Sequence, residues 1–333
     1  MQYNEYGNAK YLGNEQNPYL ALIIRANLAI ASAKINEATK TISDEAFYEC
    51  FNLASVTIPD SITSIGSYAF SDCSSLTDVT IGNGVTSIGE SAFNDCSSLT
   101  SIIIPDNVIN IGRYAFSNCD SLQFNEYGNA HYLGSENNPY FALVKAVDNN
   151  VTNVDINEAT EIICGEAFGY CEKLTNVTIP YGVTVIGEGV FVGCSSLTSI
   201  TIPDSVNSIG DYVFAGCSSL TSITIPDSVT SIGKEAFAYC KSLTSITIHN
   251  SVASIGEYAF SDCSGLTSIT IPNSVTSIRE WAFSGCSNLK NVFFDGAIAE
   301  WKSISSMAGK SSETGNVTVK CTDGELKFTF YNG

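Results

Sequence analysis

The chain has 333 residues, 44% of them apolar, and carries 34 Asp and Glu against 15 Lys and Arg, a formal charge of −19. That much negative charge repels phosphate backbones and anionic lipid surfaces, so nucleic-acid binding is excluded as a reading and the chain is expected to stay soluble by self-repulsion. No run of 18 apolar residues exists, so no membrane span is predicted.

Residues 1–34 open with MQYNEYGNAKYLGN, which lacks the basic and apolar regions of a signal peptide; a leader is expected outside this chain. Their Tyr, Gly, Asn and Pro content predicts an irregular, hairpin-like insert or cap. Residues 35–123 form a first block of repeats, in which Phe47, Phe70, Phe93 and Phe116 recur every 23 residues, each followed three positions later by Cys50, Cys73, Cys96 or Cys119. Residues 124–155 hold a second copy of the insert: FNEYGNAHYLGSENNPYFALV at 124–144 repeats YNEYGNAKYLGNEQNPYLALI at 3–23, and INEAT recurs at 35–39 and 156–160. The first copy begins at residue 3 where its twin follows four coils, as expected if the chain starts within a longer architecture. Residues 156–294 carry a second block on Phe168, Phe191, Phe214, Phe237, Phe260 and Phe283, with Cys171, Cys194, Cys217, Cys240, Cys263 and Cys286 in the same phase. A fixed period of this length predicts one continuous solenoid.

One coil reads as strand, turn, short strand and short helix. Ile223 and Ile225 alternate with Ser222 and Thr224, the pattern of a strand with one buried face. Pro226-Asp227-Ser228 forms a turn, and Val229–Ile232 a second extended segment. Gly233 opens a corner where close backbone approach, rather than positive φ, explains the glycine, since Ser43, Cys164 and Arg279 stand there in other coils. About one and a half helical turns are predicted next, placing Ala236, Phe237, Cys240 and Leu243 on one face. Glu90, Glu188, Asp211 and Glu257 would favour such helix N-termini. In the final segment, 295–333, AIAEWKSI reads as a helix, and VTVKC and LKFTF around Thr322-Asp323-Gly324 as a β-hairpin that caps the solenoid.

Candidate chemistry is sparse. Ten cysteines share one phase beside Phe and behave as small apolar side chains; no C-x-x-C pair exists, so no metal site is predicted. Cys164 and Cys321 lie outside that column, and Cys164 is the better candidate for reactivity. His131 and His249 are the two histidines, too few for a His-dependent nucleophile or a multi-His metal site. Asp60, Asp106, Asp204 and Asp227 read as turn formers, and no cofactor motif or catalytic constellation is present.

The pattern LxxIxIPxxVxxIGxxAFxxC, carried by 45–119 and 168–294, resembles the BspA-type leucine-rich repeat in its short 23-residue class. The resemblance implies an α/β leucine-rich-repeat fold, a right-handed solenoid or horseshoe with a parallel β-sheet on its inner face and short helices outside. It further implies a non-catalytic module of a bacterial cell-surface or secreted protein, acting in adhesion or interaction with host or cell-surface proteins or glycans. Outward positions of the inner sheet supply candidate ligand-binding residues: Ser199, Thr201, Ser222, Thr224, Ser245, Thr247, Ser268, Thr270, Asn291 and Phe293. In the first block Ile103 likewise interrupts the hydroxyls. Tyr68, Tyr114, Tyr212, Tyr258 and Trp281, two residues before the repeat Phe, form an aromatic row that either packs between coils or faces a partner. The alternative is a structural spacer displaying another domain. Thr also has high strand propensity, which gives the same ladder a purely structural explanation. Oligomeric state is not encoded in these patterns.

Overall fold

The structure, a computed structural model, describes residues 3–6, 9–25, 30–311 and 316–331. The chain packs as two compact units, one comprising 1–127, 131–144 and 159–165, the other 128–130, 145–158 and 166–333.

In the first unit two sheets run through the coils. Ser32–Lys34, Ser55–Ile58 and Asp78–Ile81 stack in parallel, with Ser55 opposite Asp78 and Ile58 opposite Ile81. The short segments Thr41–Ile42, Ser64–Ile65, Ser87–Ile88 and Asn110–Ile111 form the second parallel array. The insert joins this second array. Asn4–Tyr6, Ala9–Leu12 and Ala21–Arg25 form an antiparallel meander whose last strand places Ala21 and Leu22 opposite Thr41 and Ile42. The duplicate insert has the same plan, with strands Asn125–Tyr127, Ala130–Leu133 and Ala142–Ala146, and Ala142 and Leu143 opposite Ile162 and Ile163. The hairpin-like reading of both inserts therefore holds.

Duplication extends to side chains. Asn4 Nδ2 donates to Pro18 O at 2.9 Å and Asn125 Nδ2 to Pro139 O at 3.0 Å. Asn17 and Asn138 likewise donate to the carbonyls of Ala38 and Ala159. Tyr11 and Tyr132 are wholly buried, each edge-on at 5.5 Å to a second tyrosine, Tyr19 or Tyr140. Burial holds the Tyr11 phenol above its usual pKa.

In the second unit Asn153–Asp155 pairs with Asn176–Thr178. Further on, Ser222–Thr224, Ser245–Thr247, Ser268–Ile271 and Asn291–Phe294 stack in parallel. The C-terminal segment matches its sequence reading. A helix spans Ile298–Ile304, and Val317–Cys321 turns back antiparallel into Gly324–Phe330. Val317–Cys321 also pairs with Asn291–Phe294, extending the sheet beyond the repeats. Asp323 Oδ1 accepts from Ile298 N and Glu300 Oε2 from Ala297 N, which anchors the helix start to the hairpin.

The core of each unit is a column of rings. Phe47, Phe70, Phe93 and Phe116 stack at 5.0–5.8 Å between centroids, and in the second unit Phe168 through Phe283 stack at 5.3–5.5 Å, near-parallel throughout. Beside them runs the thiol column. All twelve cysteines are free. Each column thiol from the second coil of a block onward donates to the Phe carbonyl of the preceding coil, as Cys240 Sγ does to Phe214 O at 3.2 Å. A cysteine is thus apolar enough for the core and still a weak donor to a buried carbonyl.

The predicted outer helices are absent: the segments around the repeat Phe are chains of consecutive turns, and Ile298–Ile304 is the one α-helix among the described residues. Every coil places two residues in the left-handed region, two before and two after its Phe, for instance Glu235 (φ 51°) and Tyr239 (φ 60°) around Phe237. Those reversals turn alternate N–H groups along the stack. Glu235, Phe237 and Tyr239 donate to Glu257, Ala259 and Ser261 of the next coil, while Ala238 and Cys240 bond back three residues within their own. Left-handed backbone costs a non-glycine residue roughly 1–2 kcal/mol. Each hydrogen bond gained contributes about 1 kcal/mol net, and the buried Phe and Cys beneath supply the rest. With no helix, the corner acids have no helix dipole to meet. Instead Asp211 Oδ1 accepts from Lys234 N, and Asp44 Oδ1 from Ser67 N, one coil further on.

Five corner glycines, Gly66, Gly89, Gly112, Gly233 and Gly256, follow the close-approach reading, whereas at Gly210 an added Cβ would meet nothing nearer than 3.8 Å. A Cβ on Gly66 would lie 2.4 Å from Asp44 N, and one on Gly233 2.5 Å from Gly210 C, while neither residue has positive φ. Ser43 and Cys164 occur where an insert strand precedes, their N–H groups bonding Leu22 O and Leu143 O. Arg279 has no explanation in the structure.

Candidate functional site

Two sets of threonine separate in the structure. Thr175, Thr221, Thr230, Thr244 and Thr276 each donate a hydroxyl to the preceding coil's backbone carbonyl at 3.0–3.4 Å, and so belong to the scaffold. Thr201, Thr224, Thr247 and Thr270 form a second, register-matched row: Thr201 faces Thr224, Thr224 faces Thr247, and Thr247 faces Thr270. All four are exposed. Beside them Ser222 faces Ser245, and Ser199 and Ser245 are exposed like Ser222, with Ser268 half-buried. The hydroxyls of these eight residues make no hydrogen bond to a described residue. Strand spacing of about 4.8 Å sets their pitch.

The ladder ends on Asn291 and Phe293, opposite Ser268 and Thr270. Phe293 is 40% exposed, a large apolar ring in a hydroxyl surface. In the first unit Ile103 breaks the corresponding face at 54% exposure.

The aromatic row behaves differently. Tyr68, Tyr114, Tyr212, Tyr258 and Trp281 all sit at the first left-handed position of their coil. Tyr258 and Trp281 stack at 4.9 Å, whereas Glu235 separates Tyr258 from Tyr212, so the row is a pair plus single rings, not a continuous strip. Tyr68 and Tyr114 are the most exposed of the five.

Cys164 is not the reactive thiol the sequence suggested. It is buried, and burial pushes its pKa up to about 12, which disfavours the thiolate that nucleophilic chemistry needs. Cys321, half-buried, is also held above its usual value by desolvation first and Asp323 second. His249 Nδ1 lies 2.8 Å from Asp227 Oδ1, a link between successive turns, and His131 Nε2 lies 3.1 Å from Glu126 Oε1. Asp60 Oδ1 accepts from Asn83 N, so this turn aspartate also ties one coil to the next. Among the described residues no cluster of three His, Cys, Asp or Glu could hold a metal ion. No helix among them is long and apolar enough to cross a membrane.

Short parallel strands stacked at a 23-residue period over a Phe column define a leucine-rich-repeat solenoid. The chain belongs to the BspA-type leucine-rich-repeat family, whose "BspA type Leucine rich repeat region" matches residues 26–136, 146–238 and 208–322 in six copies. Among solved structures it is similar to a leucine-rich repeat protein from Bacteroides ovatus, 26% identical over 88% of this chain and 69% of that one, TM-score 0.42. It is also similar to a leucine rich cell surface protein from Faecalibacterium prausnitzii, 26% identical over 93% and 99%, TM-score 0.37. A third is the pneumococcal vaccine antigen PcpA, 19% identical over 87% and 75%, TM-score 0.47. A search of curated proteins found no match.

Proposed function

We propose that the chain is a non-catalytic binding module of a bacterial cell-surface or secreted protein, acting in adhesion to a protein or glycan. In this reading the long strands line the inner wall of a right-handed horseshoe, residues 295–333 cap it, and the Ser199–Phe293 face is the contact surface. Membership of a leucine-rich-repeat family supports an interaction role. The observation that carries the reading is the division of threonines. Thr175, Thr221 and Thr244 give their hydroxyls to carbonyls one coil back, though Thr198 and Thr267 at the same coil position do not, and the register-matched hydroxyls of Thr201, Thr224, Thr247 and Thr270 are all left to solvent.

The test is an array of matrix proteins and glycans probed with the wild-type chain and with a Thr201→Val, Thr224→Val, Thr247→Val, Thr270→Val variant. Hits that weaken in the variant support the face. Hits that all persist unchanged reject it and favour a spacer.

A further inference from the structure

The hydroxyl face changes character where it leaves the repeats. Asn291 lies opposite Thr318 and Phe293 opposite Lys320, and the antiparallel return sets Lys327 opposite Thr318 and Glu325 opposite Lys320. These six share one face of the sheet by strand alternation. Two lysines therefore enter a surface that carries no charge from Ser199 to Thr270, on a chain of net charge −19. Neither lysine is in an ion pair among the described residues. Lys327 Nζ donates to Thr318 Oγ1 at 2.7 Å, and Lys320 Nζ stands 5.2 Å from the Phe293 ring centroid. Glu300 and Asp323 accept from the helix-start N–H groups; on this face Glu325 lies opposite Lys320 and the exposed Asp295 follows Phe293 in the same alternation, neither of them paired with a lysine among the described residues.

We propose that this end of the sheet binds a carboxylate-bearing sugar, a uronic or sialic acid residue of a glycan. The proposal rests on the hydroxyl face being a contact surface and names its ligand class at one end. Three features combine. The Phe293 ring is a flat apolar platform for the C–H face of a pyranose. Asn291 and Thr318 offer donors and acceptors together, as ring hydroxyls require. Lys320 and Lys327, diagonal neighbours about 7–8 Å apart at the backbone, supply charge-assisted bonds to a carboxylate. Lys320 rests over the ring in the free protein and moves to the carboxylate when a sugar takes that place. An acidic peptide fits less well. The strands Asn291–Phe294 and Val317–Cys321 are paired on both sides, so no edge is open here for backbone addition.

Calorimetric titration of the full chain with oligogalacturonate, with sialyllactose, and with the carboxyl-reduced form of each tests the site. At least one acid sugar binds more tightly than its reduced form, by about tenfold, the worth of a charge-assisted hydrogen bond. Lys320→Gln/Lys327→Gln removes that preference, and Phe293→Ser weakens both forms, with melting curves unchanged for the exposed lysine variant. Equal affinity for acid and reduced sugars, or a preference that survives the lysine substitutions, overturns the proposal. So does tighter binding of oligoglutamate than of either acid sugar. If array hits still depend on the four threonines while no acid-sugar preference exists, this inference fails and the contact-face reading stands. If an acid-sugar preference exists but no hit depends on those threonines, the wider face is rejected and the lysine site alone remains.

Discussion

Replacing Phe237 by Leu tests whether stacked rings, and not merely buried apolar area, hold the coils together. Phe237 is wholly buried between Phe214 and Phe260, each at 5.3 Å, whereas Phe168 stacks on one ring, Phe191 at 5.5 Å. Leucine keeps most of the apolar volume, so swapping shape costs roughly 1 kcal/mol at either site. Each aromatic pair lost adds about 0.5–1.5 kcal/mol. Phe237→Leu therefore loses two pairs, about 2–4 kcal/mol in all, and Phe168→Leu one pair, about 1.5–2.5 kcal/mol. Urea denaturation of Phe237→Leu, Phe168→Leu, Phe214→Leu and the Phe214→Leu/Phe237→Leu double mutant gives both the comparison and the Phe214–Phe237 coupling. A coupling near zero, or equal losses at the two sites, would refute the ring column as an energetic unit.

Other outcomes follow from the same geometry. Gly66→Ala drives a Cβ to 2.4 Å from Asp44 N and should cost about 1–3 kcal/mol, while at Gly210 the nearest atom is 3.8 Å away and Ala should be neutral or stabilising by about 0.5 kcal/mol; thermal melts decide. Burial pushes Cys171 up to about 11 and Cys164 and Cys240 up to about 12, above the ordinary 9.0. Folded pKa values above unfolded ones mean this stability is complete below pH 9 and is lost as pH rises through 11 and 12; a melting temperature flat to about pH 8.5 and falling above it is expected. In the native state iodoacetamide should label Cys321 first, and labelling of Cys164 at a comparable rate would contradict its burial. Asp323→Ala should lose about 1 kcal/mol through the uncapped Ile298 N–H, measured by urea midpoint.

Much of this architecture was legible from spacing. The Phe and Cys phase gave the column, the repeat of 3–23 at 124–144 gave two equivalent inserts, and Thr322-Asp323-Gly324 gave the final hairpin. The outer helices failed for a specific reason. Burial at Ala236, Phe237, Cys240 and Leu243 fits a helix face, and consecutive turns bury the same positions. What separates them is a reversal of φ at Glu235 and Tyr239, and those residue types carry no glycine-like signal. In other coils Gly193 and Gly216 hold the same place, a hint visible only when coils are aligned. The candidate face was half legible. Alternation exposed Ser222 and Thr224, but nothing in SLTSIT distinguishes Thr221, whose hydroxyl reaches the coil behind, from Thr224, whose hydroxyl does not. Lys320 and Lys327 were missed because they reach the face through the cap's pairing with Asn291–Phe294, a long-range register. Their period-two alternation in VTVKC and LKFTF was the available signal.

The division of threonines can be measured most directly by parallel binding and melting of two matched variants. One carries Val at Thr201, Thr224, Thr247 and Thr270, the other Val at Thr175, Thr230 and Thr276, whose hydroxyls bond carbonyls one coil back. The account predicts that the first loses ligand and keeps its melting temperature, while the second keeps ligand and melts lower by the loss of three hydrogen bonds of about 0.5–1.5 kcal/mol each at most. Ligand binding intact in the first variant, or equally weakened in both, would contradict it.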